Sequence, residues 1–203
     1  SSQIDGAYSV IILTRNRELI AVRDPLGIRP LCQGRKGNTT AFASESVALD
    51  SNNINLTGDL DPGSITIATR DSCKKYCYYA SKKKAHCMFE FVYFSRVDSI
   101  LQGRSVYDVR FNLGINLAKT YDTKPDVVVP VPDTSRTAAE GYSHQTGVPV
   151  AEGLIKNRYI HRTFIMPRQK DRDYAMKLKI NPLKSAVSEK NVLIIDDSIV
   201  RGT

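Results

Sequence analysis

The chain of 203 residues closes on an arrangement that leaves few folds open. Val192, Leu193, Ile194 and Ile195 run directly into Asp196 and Asp197, and Ser198, Ile199, Val200, Arg201, Gly202 and Thr203 follow. Four apolar residues, three of them β-branched, predict a strand buried on both faces, as in a parallel sheet. Adjacent carboxylates then stand at its carboxyl end, where open parallel sheets bind ligands. A small, hydroxyl-bearing turn beyond them suits backbone N–H groups aimed at a phosphate, with a helix opening on it. Carboxylates beside a phosphate cradle predict a ligand carrying both hydroxyls and phosphate, a phosphorylated ribose.

Composition narrows the class. Hydrophobic residues make up 41% and charged residues 25%, which predicts a soluble globular core rather than disorder. No apolar stretch approaches the roughly 20 residues of a membrane span, and no secretory signal stands at the start. Cys32, Cys73, Cys77 and Cys87 are too few for a disulfide framework at this length. They are expected to be reduced thiols of a cytoplasmic protein with no membrane partner. Lys74 and Lys75 separate Cys73 from Cys77, and no second ligand pair completes a zinc site. Both ends of the chain look cut: it begins with Ser1, and it stops where a helix is expected.

The net charge of +8 is localised. From Lys156 to Lys184 there are nine Lys or Arg against two acids, Asp171 and Asp173. Such a segment beside a sugar-phosphate motif is expected to meet a small polyanion rather than nucleic acid. His86, His144 and His161 show no ligand spacing and take no catalytic role.

Two halves differ in pattern. Residues 6–13 predict a strand, and Leu19–Arg23 its hairpin partner across a polar turn. Asp24-Pro25-Leu26-Gly27 is turn chemistry, with Gly27 free to take positive φ. Residues 30–34 and Thr39–Ala43 predict two more strands, residues 44–49 a short helix, Asp61-Pro62-Gly63 a turn and residues 64–69 a strand. After Lys84 the period changes. Val106, Val109, Leu113, Leu117 and Ala118 predict a helix over Val106–Thr120. Val127 to Val129 predict a buried parallel strand, residues 137–145 a helix and residues 148–151 the next strand. Alternating strands and helices predict a doubly wound α/β sheet. The boundary is placed near residue 85, giving domains over 1–85 and 86–203.

The ending from Asp196 to Thr203 resembles the phosphoribosyl pyrophosphate (PRPP) motif of type I phosphoribosyltransferases. Arg23-Asp24-Pro25-Leu26-Gly27-Ile28-Arg29-Pro30-Leu31 is similar to a motif of class II glutamine amidotransferase domains. Residues 87–99, Cys-Met-Phe-Glu-Phe-Val-Tyr-Phe-Ser-Arg-Val-Asp-Ser, resemble the segment that joins such a domain to a phosphoribosyltransferase domain. Val97 departs from the usual Pro there. Lys156-Asn157-Arg158-Tyr159-Ile160-His161-Arg162-Thr163-Phe164-Ile165 resembles a flexible loop that closes on PRPP. Together, in this order, they resemble the glutamine phosphoribosylpyrophosphate amidotransferases along essentially the whole chain.

The resemblance implies the carboxyl-terminal part of an N-terminal-nucleophile glutaminase domain, α+β in class. An incomplete α/β, doubly wound phosphoribosyltransferase domain follows it. It implies an enzyme in which glutamine-derived ammonia displaces pyrophosphate from PRPP to give 5-phosphoribosylamine, the first committed step of purine synthesis. It places Thr134 in the metal–pyrophosphate site with Asp133 and Ser135 beside it. Asp196 and Asp197 hold the ribose hydroxyls, directly or through Mg²⁺. Ser198, Ile199, Val200, Arg201, Gly202 and Thr203 wrap the 5′-phosphate, and Arg158, Tyr159, Arg162 and Lys177 reach the diphosphate from a lid over residues 156–184. Thr134 or Ser135 can at the same time cap the following helix. Mg²⁺ is the expected cofactor, held by Thr134, Asp196 and Asp197. Cys87 matches an iron–sulfur ligand in one subgroup, so a [4Fe–4S] cluster in the full-length protein and a buried structural thiol both stay open. PRPP and glutamine are the implied small-molecule partners, with homo-oligomers expected at full length. The N-terminal Cys nucleophile is absent from the chain, so no catalytic residue is assigned and the chain alone is expected to be inactive. The alternative is a non-catalytic PRPP-sensing module of the same fold.

Overall fold

The computed structural model describes residues 4–79, 83–157, 159 and 179–199. The chain divides into two compact units, residues 1–106 and 107–203.

The first unit is built from antiparallel strands. Strand β1 (Ser9–Leu13) pairs with β2 (Leu19–Arg23) in the hairpin that the apolar runs predict. Strands β3 (Cys32–Lys36) and β4 (Thr39–Ala43) form a second hairpin. A short helix α1 (Ser46–Asp50) leads to β5 (Asn55–Asp59), which returns to the other side of β3. Strands β6 (Ser64–Ala68) and β7 (Cys73–Cys77) complete a sheet of order β1-β2-β6-β7, beside the three-stranded sheet β4-β3-β5. Ala21, Leu31 and Leu60 are buried together, with Phe42 packed on them. The turns carry the backbone that their residues predict: Gly27 and Gly63 both sit at φ +66.

Strands β5 and β7 are among those not expected. Every residue of β7 is exposed, so Cys-Lys-Lys-Tyr-Cys offers no inside–outside alternation. All four cysteines are free thiols. Burial pushes the Cys32 thiol up to about 11, which keeps it protonated and unreactive.

The expected boundary near residue 85 lies inside the first unit. Residues 86–106 are bound into it by polar contacts. Arg29 Nη1 lies 3.0 Å from Glu90 Oε1 in a single π-helical turn, Glu90–Phe94. Glu45 Oε2 accepts from the Arg96 N–H and the Ser99 hydroxyl, both at 2.8 Å. Asp59 Oδ2 accepts from the Gln102 N–H at 2.9 Å. Strands β8 (Ile100–Leu101) and β9 (Arg104–Ser105) form a small hairpin before the chain leaves the unit.

The second unit begins with helix α2 (Val106–Thr120), over the residues its apolar period marks. Strand β10 (Val127–Pro130) follows, buried at every position, then α3 (Arg136–Thr146). Strand β11 (Leu154–Lys156) pairs antiparallel with β12 (Ile180–Pro182), a helical turn α4 (Lys184–Val187) follows, and β13 (Val192–Ile195) lies parallel to β10. The strand expected over 148–151 is reduced to a parallel bridge between Val128 and Val150. Pro149 has no N–H to extend the ladder. The parallel pairings fit an α/β sheet, with Val128, Ala139, Tyr142 and Ile195 as its core.

Strand β13 corrects one expectation. It is not buried on both faces, because Ile194 is 58% exposed while Ile195 is 3% exposed. Successive side chains point to opposite faces. Among the described residues, only the face of Ile195 meets a helix-covered core.

Helices α2 and α3 touch backbone to backbone. A Cβ added at Gly114 would lie 1.9 Å from the Ala138 carbonyl oxygen, and one at Gly141 would lie 2.0 Å from that of Phe111. Neither position admits a side chain without moving a helix.

Candidate functional site

Parallel register sets the site. Pro130 stands opposite Ile195, so the loops leaving β10 and β13 start at the same level on the same side of the sheet. The Val131 N–H donates to the Ile195 carbonyl at 2.8 Å and holds the two exits together. Two segments more than sixty residues apart in sequence therefore open side by side at the carboxyl ends of their strands, where such sheets place ligands.

Across this gap the Thr134 hydroxyl donates to Asp197 Oδ2. The Ser198 hydroxyl donates to Asp197 Oδ1 at 2.7 Å, and the Asp197 N–H donates to Asp196 Oδ1 at 2.8 Å. Burial holds the Asp196 carboxyl above its ordinary value, and the neighbouring Asp197 charge adds to this. The Asp197 N–H opposes the shift, and so does the nearby Ser135 hydroxyl.

Ser135 occupies the cap position of α3, but its side chain makes no capping bond. The residue is 2% exposed, and its hydroxyl makes no hydrogen bond of ordinary geometry. The structure thus brings together Thr134, Ser135, Asp196, Asp197 and Ser198, with Asp133 at the rim.

Asp133 belongs to a charged cluster. Its carboxylate lies 3.1 Å from Arg136 Nη1 and 2.6 Å from Lys156 Nζ. Arg136 also clasps Glu152 with Nε at 2.9 Å and Nη2 at 3.2 Å. The Glu152 carboxylate holds the Arg136 guanidinium above its ordinary value. The Pro132–Asp133 peptide is cis. Neither Arg136 nor Glu152 carried a signal in the sequence. Lys156 carried one, as the first cation of the basic segment.

Other expected positions fall differently. Ile199 is 88% and Tyr159 94% exposed. Arg158, Arg162, Lys177, Val200, Arg201, Gly202 and Thr203 lie outside the described residues, as does most of the expected lid. The ends of that segment are described: β11 and β12 pair Lys156 with Ile180, and the Asn157 N–H donates to the Lys179 carbonyl at 2.7 Å. Cys87 is half-buried in the first unit, and its N–H donates to the Ile28 carbonyl at 3.3 Å.

Among the described residues, no three His, Cys, Asp or Glu side chains converge as a metal cage. Mg²⁺ seldom uses such a cage. It is usually bound by one or two carboxylates together with water and substrate phosphate. Asp196, Asp197 and the Thr134 hydroxyl supply a donor set of that kind, and the buried Ser135 hydroxyl lies beside Asp196.

The Arg23-to-Leu31 motif has a structural job. The Arg23 guanidinium, 1% exposed, donates to the carbonyls of Gly27, Arg29 and Leu60. The Asp24 carboxylate, fully buried, accepts from the N–H groups of Leu26, Ile28 and Arg29, each at 3.0 Å.

Known proteins resemble this chain along its length. Residues 1–51 match the family described as glutamine amidotransferase domain. The amidophosphoribosyltransferase of Methanothermobacter thermautotrophicus is 50% identical over 203 residues, covering all of this chain and 43% of the relative. That of Pyrococcus horikoshii is 45% identical over 201 residues, covering 99% and 43%. A solved glutamine phosphoribosylpyrophosphate (PRPP) amidotransferase from B. subtilis, complexed with ADP and GMP, superposes with a TM-score of 0.90 at 40% identity. The match covers 99% of this chain and 44% of that one. The chain thus spans less than half the length of the relatives it matches. No helix of the described residues is long and apolar enough to cross a membrane.

Proposed function

We propose that this chain, a member of the amidophosphoribosyltransferase family by its match along its whole length, is part of an enzyme that makes 5-phosphoribosylamine. In that reaction ammonia released from glutamine displaces pyrophosphate from C1 of PRPP. The observation that carries this reading is the contact between Thr134 and Asp197, which joins the two loops at the carboxyl ends of β10 and β13.

Each residue then has a task. Asp196 and Asp197 orient the ribose by accepting hydrogen bonds from its two hydroxyls. Thr134 and Ser135 turn hydroxyls toward the diphosphate side of the same gap. Mg²⁺, when bound by Asp196, Asp197 and Thr134, would supply positive charge against the pyrophosphate as it departs. Holding the ribose at two hydroxyls fixes C1 relative to the incoming nucleophile, and such positioning carries much of a displacement reaction's rate. The backbone N–H groups after Ser198 suit the 5′-phosphate.

A PRPP-sensing regulator is the second reading. It would need a DNA-reading helix, typically in an added domain. Residues 1–51 match the glutamine amidotransferase domain family and the first unit is built of antiparallel hairpins, which supports the enzyme instead.

The test is Asp196→Asn with Asp197→Asn in the intact protein. Magnesium–PRPP binding, followed by calorimetry, is expected to vanish while circular dichroism stays unchanged. Undiminished binding and phosphoribosylamine production would overturn the assignment.

A further inference from the structure

We propose that Lys156 is a transferable counter-ion: it pairs with Asp133 in the ligand-free protein and passes to the diphosphate when that ligand docks. Asp133 is then a competitor that weakens diphosphate binding. The inference rests on the diphosphate site proposed above and concerns how its affinity is set.

Asp133 stands immediately before Thr134, whose hydroxyl reaches Asp197. A carboxylate at that rim opposes an incoming polyanion. Here its two oxygens are each engaged by a cation, Oδ1 by Arg136 and Oδ2 by Lys156. The two cations are not held alike. Arg136 opens helix α3 and is clasped through two nitrogens by Glu152. Its planar fork is fixed by that bidentate pairing. Lys156 is a compact ammonium on a flexible four-carbon stem at the end of β11, free to re-aim without disturbing the strand. Lys156 is therefore the cation that can leave.

Solvent keeps the exchange shallow. The Lys156 and Asp133 side chains are 35% and 57% exposed. An ion pair so exposed is worth at most about 1 kcal/mol. A diphosphate carries more charge than one carboxylate and offers several acceptor oxygens, so it outbids Asp133 for the ammonium. If Lys156–Asp133 were only a staple that shapes the loop, removing the Asp133 charge would loosen the site and weaken binding. In a counter-ion exchange the same change frees the ammonium and strengthens binding. The two roles predict opposite signs for one substitution.

The experiment measures magnesium pyrophosphate binding to the intact protein by calorimetry at low and high salt. Asp133→Asn is expected to bind about two- to fivefold tighter than wild type. Lys156→Met is expected to bind about tenfold weaker, with a shallower dependence on salt, and Lys156→Arg to recover most of the loss. In a Lys156→Met background the gain from Asp133→Asn should shrink. Asp133→Asn binding no tighter than wild type, with wild-type binding intact, overturns the exchange and leaves the site standing. Wild-type protein that ignores magnesium pyrophosphate takes down the site itself, and the exchange with it.

Discussion

Arg23 and Asp24 are buried neighbours of opposite charge, and each is satisfied by backbone. Three carbonyls accept from the guanidinium and three N–H groups donate to the carboxylate. Asp24→Ala would leave three amides without their acceptor, at a cost of about 3 kcal/mol or more. Urea unfolding of the variant should show that loss; a midpoint within error of wild type would refute this account of the motif. The turn was legible in Asp-Pro-Leu-Gly. The burial of both charges was not, because composition assigns Arg and Asp to the surface. At the site, the Asp196–Asp197 pair was legible from its place after an apolar run. The absence of a capping bond from the Ser135 side chain was not, since a serine before a helix ordinarily caps it.

Glu90 gives a pH signature at the same scale. Burial raises its carboxyl above the ordinary value, and the facing Arg29 only partly offsets this. A raised acid contributes stability that is complete below the unfolded value and lost as pH rises through the folded one. Glu90→Gln should therefore gain on wild type as pH climbs from the ordinary glutamate range through the raised value. Urea midpoints across that window check it, and a difference that stays flat or moves toward wild type contradicts it.

Among the elements, helices α2 and α3 depend on each other's glycines. Gly114 faces the Ala138 carbonyl, and Gly141 that of Phe111. Gly114→Ala and Gly141→Ala should each destabilise the second unit by about 1–3 kcal/mol through overpacking, despite alanine's better helix propensity. Because the two positions share one contact, the double variant should cost less than the sum. Thermal melts of the three variants decide this. The helices themselves were legible in the sequence, because a period of 3.6 survives any tertiary context. Their close approach was not, because a glycine in a helical pattern looks like a mere weakness. Strand β7 escaped notice for a related reason: with all five residues exposed, it has no buried face to write into its sequence. The burial expected of Ile194 failed because an apolar run marks a strand's appetite for cover without saying which side is covered.

For the molecule as a whole, division into units makes ligand effects local. Saturating magnesium–PRPP, at a hundred times its dissociation constant, should stabilise the folded state by about 2.7 kcal/mol. Hydrogen exchange should slow at Val127–Pro130, Val192–Ile195 and the loops that follow them, while Leu19–Arg23 and Ser64–Ala68 keep their ligand-free rates. Equal protection everywhere, or none at the loops, would contradict the placement of the site. At this scale the sequence disclosed the change from hairpins to alternating strands and helices. The first compact unit runs on to residue 106, past the boundary expected near residue 85. The connecting stretch reads as a linker, yet Glu90, Arg96, Ser99 and Gln102 bond back into the first unit.

The β11–β12 ribbon fixes the two feet of the basic segment beside each other, with Lys156 opposite Ile180. With Leu154, Ile155 and Lys156 paired to Pro182, Asn181 and Ile180, changes of sequence between the two strands leave the ladder's own register untouched.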